Sequence, residues 1–564
     1  MHSTIGEKTL ARLLSVGAFL ITVFIWMSGV TDPVNATKLA LLGGVGVATL
    51  GLTLFSLKSH FPELKIYLSA LVLLNLAMLN AVLNSKSPIT QNIYGVFGRN
   101  TGFLTYALLS AVTLGCLILR TRDSFRKILV AFIAAGSVNA VYSVWVMAFG
   151  DFVSWDNPYK KILGTFGNPD FVSAFLGMFF AVLVTLVLVP KMDSKWRLLL
   201  LTASILVLVE IRQSHAIQGL VVAASGTALT VLFALHARFK NWKITSGFAM
   251  SVLLLGLIAI AGALQKGPFT FLYKKSVSLR GSYWQTAWDM GNSRPLTGVG
   301  LDSYIDSYRR FRPARALVDT PAINVTSNAS HNVFLDFFAS GGYPLAITYV
   351  LFTLTGLIAI IRQLRKKLEF DWIFISMSVA WAGYQVQSIV SINQIGLAIW
   401  GWIFTGTLVA YSRSAIHGEN HILAKPTKNL STQSSGNIFS PQLVAGIGIV
   451  LGVLVASAPL SADSKWFTAI STKSYTNFEK SLTPGLYNPQ TSMKYGQAIN
   501  LIQNSQLLDQ SYIYAKAAVA FNPEFFEAWK QLYYQPKATA EEKNKALIRM
   551  KFLDPLNPDP ASNE

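Results

Sequence analysis

The chain has 564 residues, of which 52% are hydrophobic and 13% are charged, and its formal net charge is +20. Soluble domains carry roughly 25% charged residues, so this composition excludes a protein with an ordinary water-facing surface. No basic stripe with interleaved aromatic residues stands outside the apolar runs, which argues against nucleic-acid binding. The single cysteine, Cys116, lies inside an apolar run and excludes a disulfide framework.

Apolar runs recur along the chain, and about 20 mostly apolar residues suffice for one bilayer crossing. Because a helix satisfies its own backbone in lipid, the sequence predicts an all-α polytopic membrane protein with about thirteen transmembrane helices. The runs are residues 10–30, 39–57, 66–83, 103–119, 128–149, 171–189, 196–211, 216–235, 244–264, 343–361, 372–390, 395–411 and 443–460.

Lys and Arg are concentrated in every second loop, as in residues 120–127 and 362–367. Short cation-rich loops stay on the cytoplasmic side of a membrane, so the amino terminus is predicted to be cytoplasmic. With an odd number of spans, the large loop of residues 265–342 and the carboxy-terminal tail face outward. This bias also accounts for most of the net positive charge.

The domain organisation follows from these runs. Residues 1–413 form the predicted polytopic transmembrane domain, residues 414–441 a cytoplasmic linker rich in Ser, Thr and Asn, and residues 442–461 the last span. Residues 462–564 form an outward helical tail, whose two Asn-Pro pairs stand about one tetratricopeptide period apart. We expect a short tetratricopeptide-like domain; a plain helical cap fits equally well, because isolated repeats are not stable.

Four polar clusters fall on the predicted outward side, at residues 164–170, 212–218, 280–308 and 331–344. In the last, His331 and Asn332 precede a mostly apolar helical stretch that ends at Gly341 and Gly342. An imidazole is the natural proton acceptor near neutral pH, so His331 is a candidate general base. A helix-capping or interfacial histidine would explain the same residue.

Together these clusters resemble the O-antigen ligase and polymerase (Wzy-type) superfamily of integral membrane glycosyltransferases, over about residues 164–353. The matching pieces are Gly164-Thr-Phe-Gly-Asn-Pro169, Arg280 with Tyr283-Trp284, Arg294-Pro-Leu-Thr-Gly-Val-Gly300, and Ser330-His-Asn332 leading to Gly342. The resemblance implies a bacterial cytoplasmic (inner) membrane protein. It also implies a glycan donor linked to undecaprenyl pyrophosphate and a lipid, glycan or protein acceptor.

The resemblance implies that His331 activates the acceptor hydroxyl and that Arg280 binds the pyrophosphate. A second basic residue is expected near the start of the eighth span, where Arg212 or His215 fills the position; Arg212 is favoured, although it also suits a charge that snorkels to the interface. A guanidinium keeps its charge and binds phosphate oxygens with two donors, so no metal or cofactor is expected. Further substrate-binding candidates are His215, Asn332, Arg294 and Tyr283.

One departure from the family pattern concerns Leu345, which stands where the family has Gly, Thr or Tyr, and it weakens assignment to the ligase branch. A surface-polysaccharide polymerase and a lipid-linked sugar flippase or transporter are the alternatives. A transporter would show internal repeats and intramembrane charges, which the sequence does not clearly contain. A metal-dependent oligosaccharyltransferase would need paired outward carboxylates, and the first outward loop offers only Asp32.

Overall fold

The computed structural model describes residues 5–153, 157–263, 266–270, 275–319, 323–365, 369–417, 440–504 and 507–562. These residues form helices and no strand, with one isolated bridge between Gly485 and Asn488. The predicted all-α class is therefore confirmed. Most of the predicted linker at residues 414–441 lies outside the described residues.

Twenty-two α-helices follow one another along the described chain. The first twelve are α1 (Ile5–Val23), α2 (Asn35–Leu83), α3 (Ile89–Tyr94), α4 (Phe103–Leu117), α5 (Arg122–Phe149), α6 (Pro169–Val187), α7 (Ser194–Gln213), α8 (Ile217–Phe239), α9 (Trp242–Ala263), α10 (Lys275–Ser293), α11 (Tyr304–Phe311) and α12 (Arg315–Asp319). The others are α13 (Val333–Leu364), α14 (Trp372–Val390), α15 (Ile395–His417), α16 (Pro441–Ala456), α17 (Ala458–Thr472), α18 (Tyr475–Leu482), α19 (Ser492–Asn504), α20 (Leu508–Phe521), α21 (Phe526–Tyr533) and α22 (Ala540–Leu553).

The membrane pattern is confirmed, whereas the count of thirteen spans is not. Among the described residues, nine helical stretches are long and apolar enough to cross a bilayer, or ten if α16 and α17, bent by 48°, count as one span. Two of the nine lie within α2. Helix α4 has only 15 residues, and α1 and α7 each contain several charged residues, so these three helices fall short of the criterion.

Helix α15 lies at the centre of the membrane domain. It is buried along its apolar length and packs against α1, α4, α13 and α14. Hydrogen bonds join two of its buried polar side chains to neighbouring helices: Trp400 Nε1 donates to Thr22 Oγ1 of α1 at 2.7 Å, and Trp381 Nε1 of α14 donates to Thr405 Oγ1 at 2.9 Å. By contrast, α9 is almost entirely exposed, as expected for a helix that faces lipid.

The loops between helices meet on one side of the helical domain, here called the loop face and defined by residues 24–34, 84–102 and 294–319. Ser85 Oγ donates to the carbonyl of Val299, and Asn35 Nδ2 donates to that of Gly98. The tail stands on this face, because Asp463 of α17 accepts hydrogen bonds from the backbone N–H groups of Thr31 and Asp32. The loop face and the tail thus form one continuous body.

The tail packs its helices in consecutive pairs, α19 with α20 and α21 with α22. Both Asn-Pro pairs form the same turn, since Asn522 Oδ1 accepts from the N–H of Glu524 and Asn557 Oδ1 accepts from that of Asp559, each at 3.2 Å. This arrangement explains the repeated dipeptide physically. The tetratricopeptide-like assignment stays a prediction.

Candidate active site

His331 stands at the entrance to α13. Asn332 is the N-cap of that helix, and its Oδ1 accepts from the N–H of Leu335 at 3.1 Å, which satisfies one free donor of the first turn. The cap brings the preceding residue into a left-handed conformation, with φ of 57° at His331. The imidazole therefore lies, half-buried, at the start of the helix rather than on its side.

The tautomer of His331 follows from its contact with the backbone. Nδ1 lies 3.2 Å from the carbonyl oxygen of Ala329. A carbonyl oxygen only accepts, so Nδ1 must carry the proton of the neutral ring. Nε2 then has the free lone pair that a general base requires.

Tyr283 of α10 holds the imidazole from one side. The two rings are stacked, with centroids 5.4 Å apart and planes 29° apart. Tyr283 also packs edge-on against Tyr308 of α11 at 6.0 Å, and its carbonyl accepts from the hydroxyl of Tyr304 at 2.9 Å. Helices α10 and α11 together thus fix the orientation of His331.

Arg280 lies one turn before Tyr283 on α10, so both side chains share a helix face. It forms no ion pair with a carboxylate among the described residues, although Asp170 at the start of α6 acts on it electrostatically. Desolvation lowers the pKa of its guanidinium. A partly buried cation of this kind retains donors for an anionic ligand.

The pKa of His331 is lowered to about 4, mainly by burial and also by the charges of Arg280 and Arg99, against the raising effect of the hydrogen bond to Ala329. The imidazole is therefore neutral throughout the physiological range. A neutral imidazole with a free Nε2 is able to accept a proton.

A glycine-rich turn, residues 294–300, forms hydrogen bonds with the first part of α13. The helix breaks at Gly342, whose φ is 64°, and Pro344 follows it. The carbonyls freed by the break accept from the turn, Ala339 O from Val299 N at 2.9 Å and Ser340 O from Gly300 N at 3.0 Å. This mutual pairing explains why the residues from Arg294 to Gly300 and the Gly-Gly-Tyr-Pro segment occur together, and it confirms the predicted helix break.

Arg294, Arg212 and His215 are the remaining candidates. Arg294 Nη2 donates to the carbonyl of Asn84 at 2.7 Å and so fixes the glycine-rich turn to the end of α2. Arg212 is exposed in the last turn of α7, and His215 is exposed in the turn between α7 and α8. Gln218 in the same region donates to the carbonyl of Asp170, which places that turn beside the start of α6. No hydrogen bond or ion pair among the described residues joins Arg212 or His215 to His331.

Sequence reasoning missed one cation beside the imidazole, Arg99. It belongs to the short loop before α4, in the sequence Gly98-Arg-Asn-Thr-Gly102, which is typical of a turn. The only local signal was a basic residue in a loop predicted to face outward, where cations are scarce.

Comparison with known proteins agrees with this geometry. Residues 218–350 match the family model described as O-antigen ligase, a range that includes α10, the glycine-rich turn and the start of α13. Among curated proteins, none matches the chain. The match covers less than half of the chain and supports the resemblance to the O-antigen ligase and polymerase family found in the sequence. The match supports a function of the O-antigen ligase or polymerase type, hence a glycosyltransferase-like enzyme in a bacterial multi-pass membrane protein.

Proposed function

We propose that the chain transfers a glycan from undecaprenyl pyrophosphate to an acceptor hydroxyl, with inversion, at the outer face of the cytoplasmic membrane. The acceptor oxygen attacks the anomeric carbon while His331 Nε2 takes the hydroxyl proton. The bond between the anomeric carbon and the pyrophosphate oxygen breaks, and undecaprenyl pyrophosphate leaves with the bonding electrons. Arg280 stabilises the charge that develops on this leaving group.

The observation that carries the proposal is the state of His331. Its Nδ1 is committed to the carbonyl of Ala329, its ring is stacked on Tyr283, and a guanidinium lies on the same face of α10. A base fixed in one tautomer beside a cation suits deprotonation of a hydroxyl next to a phosphate-bearing donor. No metal is part of this proposal.

A second basic residue, Arg212 at the end of α7 or His215 in the turn that follows, is proposed to contact the donor pyrophosphate. Both side chains are exposed there, so either can reach a ligand at the start of α6. The acceptor is proposed to be a lipid, a glycan end or a hydroxyl of an exported protein. A polymerase would use the end of a growing glycan with the same site residues.

The test is release of undecaprenyl pyrophosphate from a purified lipid-linked glycan in detergent, with EDTA present, across a panel of the three acceptor classes. Wild type is compared with His331→Ala and Arg280→Ala, and Arg212→Ala and His215→Ala decide the second basic position. We expect acceptor-dependent release that survives EDTA and falls at least about 100-fold in the first two variants, in line with the usual contribution of general base catalysis. Release that is indifferent to both substitutions would falsify the site, and a wild type that releases no undecaprenyl pyrophosphate with any acceptor would favour a transporter.

A further inference from the structure

The loop before α4 carries a buried cation, Arg99, that contacts the candidate site. The Arg99 side chain is 11% exposed, and its Nη2 lies 3.5 Å from Asp302 Oδ1. The other carboxylate oxygen of Asp302 accepts from the N–H of Val96 at 3.0 Å and from the hydroxyl of Thr101 at 3.1 Å. Asp302 therefore holds the loop and its arginine together, and the guanidinium has one defined position.

The free end of that guanidinium binds the segment that carries the imidazole. Nη1 of Arg99 donates to the carbonyl of Asn328 at 2.6 Å, three residues before His331. Local bonds make this segment stiff: Ser330 Oγ donates to the carbonyl of Asn332 at 2.8 Å, and Ser330 N donates to Asp336 Oδ1 at 2.7 Å. Because the segment is stiff, a shift of the Asn328 backbone also shifts His331.

Two positive charges act on the imidazole from different elements. Arg280 lies on α10 and Arg99 on the loop before α4, and both disfavour the imidazolium. Asp336 on α13 interacts with Arg99 and, through Ser330, is joined to the same segment. Arg99, Arg280 and Tyr283 act on His331 directly. Tyr304 and Tyr308 contact Tyr283, and Asp336 interacts with Arg99.

We propose that Arg99 is a positioning residue for the transfer reaction: it fixes the His331 segment through the carbonyl of Asn328 and places a permanent positive charge beside the imidazole. The inference rests on the proposed function, since it names the residue that keeps the general base His331 in position and neutral. Arginine suits this role better than lysine, because its rigid fork contacts Asn328 and Asp302 at once. Its Nε is buried without a partner among the described residues, so the two terminal nitrogens make these contacts.

The first measurement is an NMR titration of the full chain in detergent with isotope-labelled histidine, in which His331→Ala identifies the signal of His331 among the seven histidines. We expect its titration midpoint to rise in Arg99→Gln, because removing a nearby like charge favours the imidazolium. Arg99→Lys keeps the charge, so its midpoint should stay close to wild type. A midpoint unchanged in Arg99→Gln overturns the electrostatic part of the proposal.

The second measurement is the pH dependence of kcat/KM for pyrophosphate release, in the same variants. We expect Arg99→Gln to move the acidic limb upward, and both Arg99 variants to lose about 10-fold or more in kcat at pH 7.5. Arg549→Gln is the matched control, because Arg549 also binds one backbone carbonyl and one carboxylate, Pro523 O and Glu524, but in the tail. If Arg99→Gln loses rate without moving the acidic limb, Arg99 has a structural role only. The same conclusion follows if Arg549→Gln loses as much rate as the Arg99 variants.

The two measurements separate this inference from the proposed function. If wild type releases no pyrophosphate, the proposed function fails, while the titration of His331 still decides whether Arg99 governs its protonation. If release depends on His331 but neither measurement responds to Arg99, the inference alone fails. Arg99→Lys covers the case in which Arg99→Gln does not fold.

Discussion

The guanidinium of Arg312 and the carboxylate of Asp554 meet across 242 positions of the chain, with Nη2 2.7 Å from both carboxylate oxygens. Both side chains are almost fully buried, and Asp554 also lies 3.3 Å from Arg309. Arg309 belongs to α11, the helix whose tyrosines pack against Tyr283. The tail therefore packs against α11, the helix that contacts Tyr283 of the candidate site, rather than extending freely from the membrane.

The first prediction concerns this contact. Asp554→Ala leaves two buried guanidinium groups without their shared carboxylate, which costs about 3–5 kcal/mol. We expect a lower midpoint of thermal unfolding in detergent, faster proteolysis of the tail and reduced transfer activity. Glu527→Ala is the control, because Glu527 pairs with Arg309 at 2.7 Å but is 40% exposed, and a pair of that kind contributes about 1 kcal/mol or less. Equal effects of both changes would contradict the assignment.

The second prediction is a pH dependence of stability that arises from Asp306. This residue of α11 accepts hydrogen bonds from Ser87 at 2.6 Å and Gln91 at 2.9 Å, and burial raises its pKa to about 6 against the lowering effect of those bonds. An acid with a raised pKa binds its proton more tightly in the folded protein. Its contribution to stability is therefore largest below about pH 4 and is lost as the pH rises to about 6.

Asp306→Asn removes this titration and keeps a group of similar size. We expect the difference in unfolding midpoint between the variant and wild type to change between pH 4 and pH 6 and to be constant above pH 6.5. Thermal unfolding of both proteins over this range measures it. A difference that is constant throughout would mean that Asp306 titrates alike in the folded and unfolded chain.

The third prediction concerns the acidic limb of the wild-type reaction. A histidine with its usual pKa of 6.5 would lose base function below that pH, whereas the pKa of His331 is lowered to about 4. We expect kcat/KM to be level from about pH 5.5 to 7.5 and to fall only towards pH 4, as Nε2 becomes protonated. An acidic limb near pH 6.5 would show that the imidazole is more solvated than its burial indicates.

The fourth prediction tests the break in α13. Gly342 has a φ of 64°, and a Cβ there would overlap the carbonyl of Pro295. Gly342→Ala should cost about 1–3 kcal/mol in strain and disturb the bonds between the glycine-rich turn and α13, so both thermal stability and activity should fall. Gly256→Ala is the matched control, since nothing lies within 4 Å of its added Cβ. If Gly342→Ala behaves like the control, the turn does not depend on the break.

The sequence predicted the parts of this structure that depend on local chemistry. Apolar runs place the membrane helices because lipid offers the backbone no other partners, and the pair Gly341-Gly342 predicts the break in α13. The exact number of crossings does not follow, because short or charged helices such as α4 and α7 are stabilised by their neighbours. In addition, the two predicted spans at residues 39–57 and 66–83 form one continuous helix, α2.

The site was predictable to the extent that family resemblance marks its residues. Spacing alone would not bring Tyr283 and His331 together, since their contact depends on how α10 packs against α13. Arg99 could not be found at all, because its partner Asn328 lies 229 positions away and no local pattern links the two. Likewise, the exposed positions of Arg212 and His215 depend on the conformation of the turn between α7 and α8.

The packing of α16 against α2 has a consequence for the biosynthesis of the protein. A Cβ on Gly452 would overlap the backbone of Gly43, and one on Gly448 would overlap Ala48, so these helices approach closely through small residues. Helix α2 leaves the ribosome long before α16, and at about 5–20 residues per second the delay is on the order of tens of seconds. During that time its small-residue face lacks this partner, and the carboxylate that pairs with Arg312 has not been made. Until synthesis has passed α16, the small residues of α2 are therefore open to lipid or to another helix with small residues.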